Sequence, residues 1–226
     1  MALPGTTPQQ PAVLERAEGH GGELVLRRAP DGHHEIISNG VFLMDTRNGE
    51  SERLLVRRAV EGLSAPVRVL IGGLGVGFSL REATGLPQVA HVRVVEREPA
   101  VVAWHDGPLA PYSGGALDDP RVRVQVADLV EWLQLGDGDP ERFDVVCLDI
   151  DNGPEWTVTP GNARLYGPRG LETLRARLTP RGVLAVWSAG AAPAFEDLLR
   201  GRFAHVEAIP VPVPRGEPDM VYLARD

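Results

Sequence analysis

Four short stretches of the chain set groups capable of ligand binding or proton transfer directly after apolar runs. The first is Val69-Leu70-Ile71-Gly72-Gly73-Leu74-Gly75-Val76-Gly77, a strand-like run entering a glycine turn and then a helical stretch. Glycines there let backbone approach a ligand closely, and the helix start that follows presents unpaired N–H groups. The second is Val94-Val95-Glu96, about twenty residues on, where a carboxylate at a strand end can accept both hydroxyls of a ribose. The third is Ala127-Asp128-Leu129, whose carboxylate either reaches an adenine amino group or caps the helix beginning at Leu129. The fourth is Leu148-Asp149-Ile150-Asp151-Asn152-Gly153-Pro154, with two carboxylates and a turn. Asp151 is either a second functional carboxylate or a turn residue bonding its own backbone.

These stretches need a scaffold that gathers strand ends. From residue 67 onward apolar runs alternate with helix-length stretches, the pattern of βαβ units around a parallel sheet buried on both faces. Strands are expected at 67–71, 89–96, 122–126, 143–149 and 182–188, with helices at 77–84, 99–105, 129–135 and 167–178, the last stopped by Thr179-Pro180-Arg181-Gly182. The runs 206–213 and 220–224 are joined by a segment too short for a helical crossover, so they pair antiparallel. In open α/β sheets the ligand crevice lies beyond the carboxyl ends of the strands, where all four stretches converge.

Before this unit, residues 23–28, 34–37 and 41–44 read as a small β-meander turning at Pro30-Asp31-Gly32 and Asn39-Gly40, and 49–63 as an amphipathic helix. Three regions follow: a flexible segment over 1–22, a β-lobe with a linking helix over 23–65, and the main α/β unit over 66–226.

Composition narrows the functional classes. The 226 residues carry a formal net charge of −8 and no long basic block, which argues against nucleic acid and for a small-molecule substrate. No apolar run reaches the ~18 residues of a membrane span, and the start of the chain lacks the features of a secretion signal. The single cysteine, Cys147, lies in an apolar run and reads as a buried core thiol suited to a reducing cytoplasm. His33 and His34 point to opposite faces of a strand, and no second cluster completes a metal site. Trp156 and Tyr166 lie in and just after the loop that would cover the crevice; each either contacts substrate or packs the protein.

Taken together, these features resemble the spermidine synthase-like branch of the class I S-adenosylmethionine-dependent methyltransferase superfamily. The resemblance runs from about residue 23 to the C-terminal strand pair. It rests on Gly73-x-Gly75-x-Gly77, Val95-Glu96, Asp119-Pro120-Arg121-Val122 with Asp128, the segment 144–154, Leu165-Tyr166, and Leu178-Thr179-Pro180-Arg181-Gly182. It implies a Rossmann-like, seven-stranded α/β sheet with a small N-terminal β-lobe, and a homodimer. It also implies that Gly73, Gly75 and Gly77 hold the aminoacyl part of the cofactor, Glu96 the ribose and Asp128 the adenine, with Asp149 the catalytic acid/base. Asp151, Trp156 and Tyr166 are the candidate substrate contacts.

Two departures bear on the reaction. The aminopropyltransferases of this branch carry an acidic residue inside the glycine turn, where this chain has Leu74-Gly75-Val76. They also carry a Gln and a Tyr-His-Glu in the lobe, where this chain has Leu43 and Ser51-Glu52-Arg53. The sequence reading therefore puts methyl transfer from S-adenosylmethionine to a small nucleophile first. Aminopropyl transfer from decarboxylated S-adenosylmethionine to a polyamine comes second, and a non-catalytic binding or scaffold protein third.

Overall fold

A computed structural model describes residues 10–134 and 141–226. Residues 1–9 of the expected lead-in, and Leu135 at the end of one expected helix, lie outside them.

The lobe is a four-stranded antiparallel sheet in the order β1 (Ala12–Gly19), β2 (Gly22–Arg28), β3 (His34–Ser38), β4 (Val41–Asp45). The sequence reading placed residues 12–19 in a flexible segment, and the structure corrects this. Gly19 pairs with Gly22 across a tight hairpin, and Trp104 Nε1 donates to Glu15 Oε2 at 2.9 Å, so the strand is tied to the main unit. The hairpin was missed because Val13 and Leu14 stay exposed and the strand shows no buried face of its own.

Helix α1 (Glu50–Val60) follows and packs on the face of the main sheet, against α2 (Phe78–Gly85) and the strands β9 (Leu178–Ser188) and β11 (Asp219–Arg225). The remaining strands are β5 (Val67–Gly72), β6 (Val89–Glu96), β7 (Val122–Val126), β8 (Phe143–Leu148) and β10 (His205–Val211). They form one seven-stranded sheet in the order β10-β11-β9-β8-β5-β6-β7, parallel except for β11, which runs antiparallel to both its neighbours.

Alternation along the central strands fills two apolar layers. Val69, Ile71, Val145 and Cys147 face the layer shared with α1 and α2. Leu70, Val146, Leu148 and Leu184 face the layer covered by α5 (Leu129–Gln134), α6 (Pro168–Ala176) and α7 (Pro193–Arg200). Both faces being buried is what makes these strands continuous apolar runs. Burial also pushes the Cys147 thiol up, away from the thiolate form.

Two short helices, α3 (Pro99–Trp104) and α4 (Ala110–Ser113), lie on the β6–β7 side. Helix α7, for which the sequence reading had no element, buries Phe195 and Leu199. Strand β9 begins at Leu178 rather than Gly182 because Leu178 pairs with Phe143, across a register shift between Phe143 and Val145. Among the described residues no helix is long and apolar enough to cross a membrane.

The chain's crossovers leave β5 in opposite directions toward β6 and β8. That point is where an open α/β sheet places its ligand crevice. Here it opens toward the lobe.

Candidate active site

A cleft of about 960 Å³ lies between the lobe and the carboxyl ends of the sheet strands. This is within the range of small-molecule sites, and its walls mix apolar and acidic side chains.

The glycine turn forms its floor. Gly73 has φ +89°, and a Cβ there would stand 2.1 Å from the carbonyl oxygen of Asp149. Gly75 has φ +50° and lies under Met44 of the lobe, whose sulfur would be 2.4 Å from an added Cβ. Both glycines line the cleft. Gly77 does not; it starts α2 and packs on His105 and Ser113, so its role is to bring the helix close. The side chains of Leu74 and Val76 are buried in the core, which leaves the turn without a polar side chain.

Glu96 reaches the turn from the next strand. Its Oε2 accepts the Leu74 N–H at 2.7 Å and its Oε1 accepts the Glu98 N–H at 2.8 Å. Burial pushes this carboxyl above its ordinary range, with the backbone N–H bonds opposing. Each oxygen keeps a lone pair for a further donor. Asp128 does cap α5, accepting the Val130 and Glu131 N–H groups on Oδ1 at 2.8 and 3.2 Å, and it also lines the cleft. The cap uses Oδ1, and no hydrogen bond to Oδ2 is formed among the described residues. Ala127, Leu129, Val95 and Ile150 give that end of the cleft an apolar wall suited to a flat aromatic base.

Asp149 follows β8, its backbone N–H bound to Gly72 O at 2.9 Å and its Oδ2 accepting the Ser79 hydroxyl at 2.6 Å. Asp149 is half-buried and lines the cleft. Burial and the neighbouring Glu96 charge raise it to about 6, against the Ser79 bond. Asp151 adopts φ +53° and accepts the Thr159 N–H at 3.2 Å and Asn162 Nδ2–H at 2.8 Å. It thus organises the covering loop while forming part of the cleft wall. Trp156 stands at the cleft edge and is 58% exposed. Tyr166 is not in the cleft. It is buried, stacks edge-on against Phe195 at 5.6 Å, and its hydroxyl bonds Ile150 O, so the proposed substrate contact is a core residue. The sequence could not tell which side of the loop it faced.

The structure adds acids that the sequence reading did not place in the site. Glu52 and Ser51 on α1, Trp187 late in β9 and Asp219 opening β11 all line the same cleft. Burial, with the nearby charges of Asp149 and Asp219, raises Glu52 to about 8. Burial raises Asp219 as well. Buried Asn152 also faces the cleft, with Nδ2 lacking a hydrogen-bond partner among the described residues. His105, whose protonation burial disfavours, supports the glycine turn through Nε2 and Gly75 O at 3.0 Å.

The fold and cleft define the class: a class I S-adenosylmethionine-dependent methyltransferase-like sheet. A spermidine synthase bound to the transition-state analogue AdoDATO matches 95% of this chain and 74% of its own, with TM-score 0.78 and 18% identity. Spermidine synthase from Thermotoga maritima matches 95% and 73%, with TM-score 0.74 and 17% identity. No family model matches the chain. In sequence it is 32% identical over 185 residues to polyamine aminopropyltransferase 1 of Streptomyces coelicolor, and 29% identical over 185 residues to the polyamine aminopropyltransferase of Corynebacterium efficiens. Both alignments cover 81% of this chain, and 32% and 34% of those proteins. The chain therefore spans about a third of the length of these curated relatives. These homologues and structural neighbours are thus spermidine synthase-type polyamine aminopropyltransferases, proteins of that fold.

These relatives overturn the expectation of methyl transfer, since they are named for aminopropyl transfer to polyamines. That expectation rested on the missing carboxylate in the glycine turn and on Leu43 and Ser51-Glu52-Arg53 standing where the aminopropyltransferases carry a Gln and a Tyr-His-Glu. In the folded chain Glu52 and Asp219 bring carboxylates to the cleft from elements distant in sequence.

Proposed function

We propose that the chain transfers an aminopropyl group from decarboxylated S-adenosylmethionine to a polyamine acceptor such as putrescine. One observation carries this reading: Glu52, Asp149 and Asp219 converge on one cleft beside Glu96, so the cleft favours cations. The decarboxylated donor presents a sulfonium and an ammonium and no carboxylate. The carboxylate of S-adenosylmethionine itself would enter among acids. The cleft guanidiniums of Arg47 and Arg97 are already held by acids, Arg47 by Asp31 and Glu35, and Arg97 by Glu98.

In this reading Gly73 and Gly75 let the donor lie against backbone, Glu96 receives the ribose hydroxyls and Asp128 the adenine amino group through its free oxygen. The sulfonium supplies an activated carbon, so alignment contributes much of the rate. Asp149 takes a proton from the acceptor nitrogen as that nitrogen's lone pair forms the new C–N bond. The C–S bond breaks, its electron pair stays on sulfur, and methylthioadenosine leaves. Trp156, Asp151 and Asn152 border the acceptor's path. The cleft-facing Glu52 and Asp219 favour a cationic acceptor over a neutral nucleophile.

Calorimetric titration with the two donors tests the assignment. The decarboxylated donor is expected to bind at least tenfold more tightly than S-adenosylmethionine, and the reverse order would reject it.

A further inference from the structure

Ser51 Oγ lies 2.7 Å from Asp219 Oδ2 and 2.8 Å from Glu52 Oε2, and it accepts the Trp187 indole N–H at 3.0 Å. A hydroxyl has one proton and two lone pairs, so Ser51 can donate to only one of these carboxyl oxygens. The other sits at hydrogen-bonding distance and needs a proton of its own, which it can donate to the remaining Ser51 lone pair. Glu52, Ser51 and Asp219 thus form a triad whose hydrogen bonds are complete when the two carboxyls share one proton.

The triad also has open valences. Glu52 is 8% exposed, yet its Oε1, like Asp219 Oδ1, has no side-chain hydrogen-bond partner among the described residues, and both side chains line the cleft. The partly buried Trp187, whose indole N–H edge bonds Ser51, also lines the cleft. Two carboxyls with a free oxygen each suit a primary ammonium, which offers three donors and one positive charge.

We infer that Glu52, Ser51 and Asp219 form a primary-ammonium subsite that gives up its shared proton when an alkylammonium binds, with Asp219 the residue that sets the requirement for that charge. This deepens the aminopropyl-transfer reading and rests on it. The ammonium belongs either to the donor's aminopropyl arm or to the non-reacting end of the acceptor. The groups facing the Glu52 carboxyl are Asp149 from the end of β8, Asp219 from β11, the Ser51 hydroxyl and the backbone N–H of Glu52 itself. The cleft cations Arg47 and Arg97 are paired elsewhere, and Arg215 is exposed on the loop before β11. With its carboxyl raised to about 8, Glu52 carries the exchangeable proton near neutral pH.

The test is calorimetry at pH 7 in buffers of differing ionisation enthalpy, on wild type, Asp219→Asn and Glu52→Gln. The ligands are 1,4-diaminobutane, 1-aminobutane, decarboxylated S-adenosylmethionine and methylthioadenosine, which has no ammonium. Wild type is expected to release about one proton on binding an ammonium ligand, and Glu52→Gln to release none. Asp219→Asn is expected to weaken either the diamine toward the monoamine, or the decarboxylated donor toward methylthioadenosine, by about tenfold or more. The pair affected identifies the source of the ammonium. Absence of proton release in wild type, or Asp219→Asn binding every ligand as wild type does, overturns the subsite. Failure of methylthioadenosine to bind wild type would instead count against the donor assignment, and the diamine titration still decides the subsite.

Discussion

Asp149→Asn is expected to lower kcat by about 10²–10⁴-fold, the usual contribution of a positioned general base. The substitution keeps the side chain's shape and an oxygen able to accept the Ser79 hydroxyl, and removes the negative charge together with the capacity to take a proton. Burial beside Glu96 raises the wild-type carboxyl to about 6, which makes it a stronger base than an exposed aspartate. The sign follows: Asp149 accepts a proton only when ionised, so wild-type activity should rise with pH through about 6, and the variant's residual rate should lose that limb. Steady-state kinetics from pH 5 to pH 8 reads both effects. An Asp149→Asn enzyme of near wild-type kcat would place the proton transfer elsewhere.

The second large effect is structural. Gly73→Ala is expected to destabilise the protein by about 3–5 kcal/mol, among the largest single-substitution costs. Two causes add: φ +89° is strained for any L side chain, and the new Cβ meets the Asp149 backbone oxygen at 2.1 Å, where no side chain can swing away. Gly32 separates the causes, because it has the same φ of +89° but open space where the Cβ would go. Gly32→Ala should therefore show only the conformational term, roughly 1–2 kcal/mol. Thermal unfolding of the two variants measures the difference, and equal losses would mean that the contact between β5 and β8 yields without cost.

The two residues also show why part of this architecture was legible in the sequence. Strands buried on both faces produce uninterrupted apolar runs, and the residue that ends each run lies at the sheet edge by necessity. Gly73, Glu96, Asp128 and Asp149 follow such runs, so their meeting beyond the strand ends could be read without coordinates. The antiparallel pairing of β10 and β11 was legible for a different reason, the short connection between them.

Ser51, Glu52, Trp187 and Asp219 carry no such mark. Glu52 reads as an acid in the first turn of a helix, where it suits the helix dipole, and Asp219 as a polar residue opening a strand. Ser51 and Asp219 are 168 positions apart and meet because β11 inserts between β9 and β10 while α1 packs across that part of the sheet. A local pattern cannot report an encounter created by strand order. The same blindness misdirected the reaction: an acid missing from the glycine turn was visible in the sequence, and acids arriving from α1 and β11 were not. Tyr166 failed for a smaller reason, since a loop residue's facing depends on the helix beneath it, here the one that carries Phe195.

The most direct test of aminopropyl transfer is a product assay by mass spectrometry, with purified protein, decarboxylated S-adenosylmethionine and 1,4-diaminobutane. The expected result is methylthioadenosine and the aminopropylated diamine in equal amounts, formed only when both substrates are present. Formation of S-adenosylhomocysteine when S-adenosylmethionine is supplied, with no methylthioadenosine from the decarboxylated donor, would contradict it.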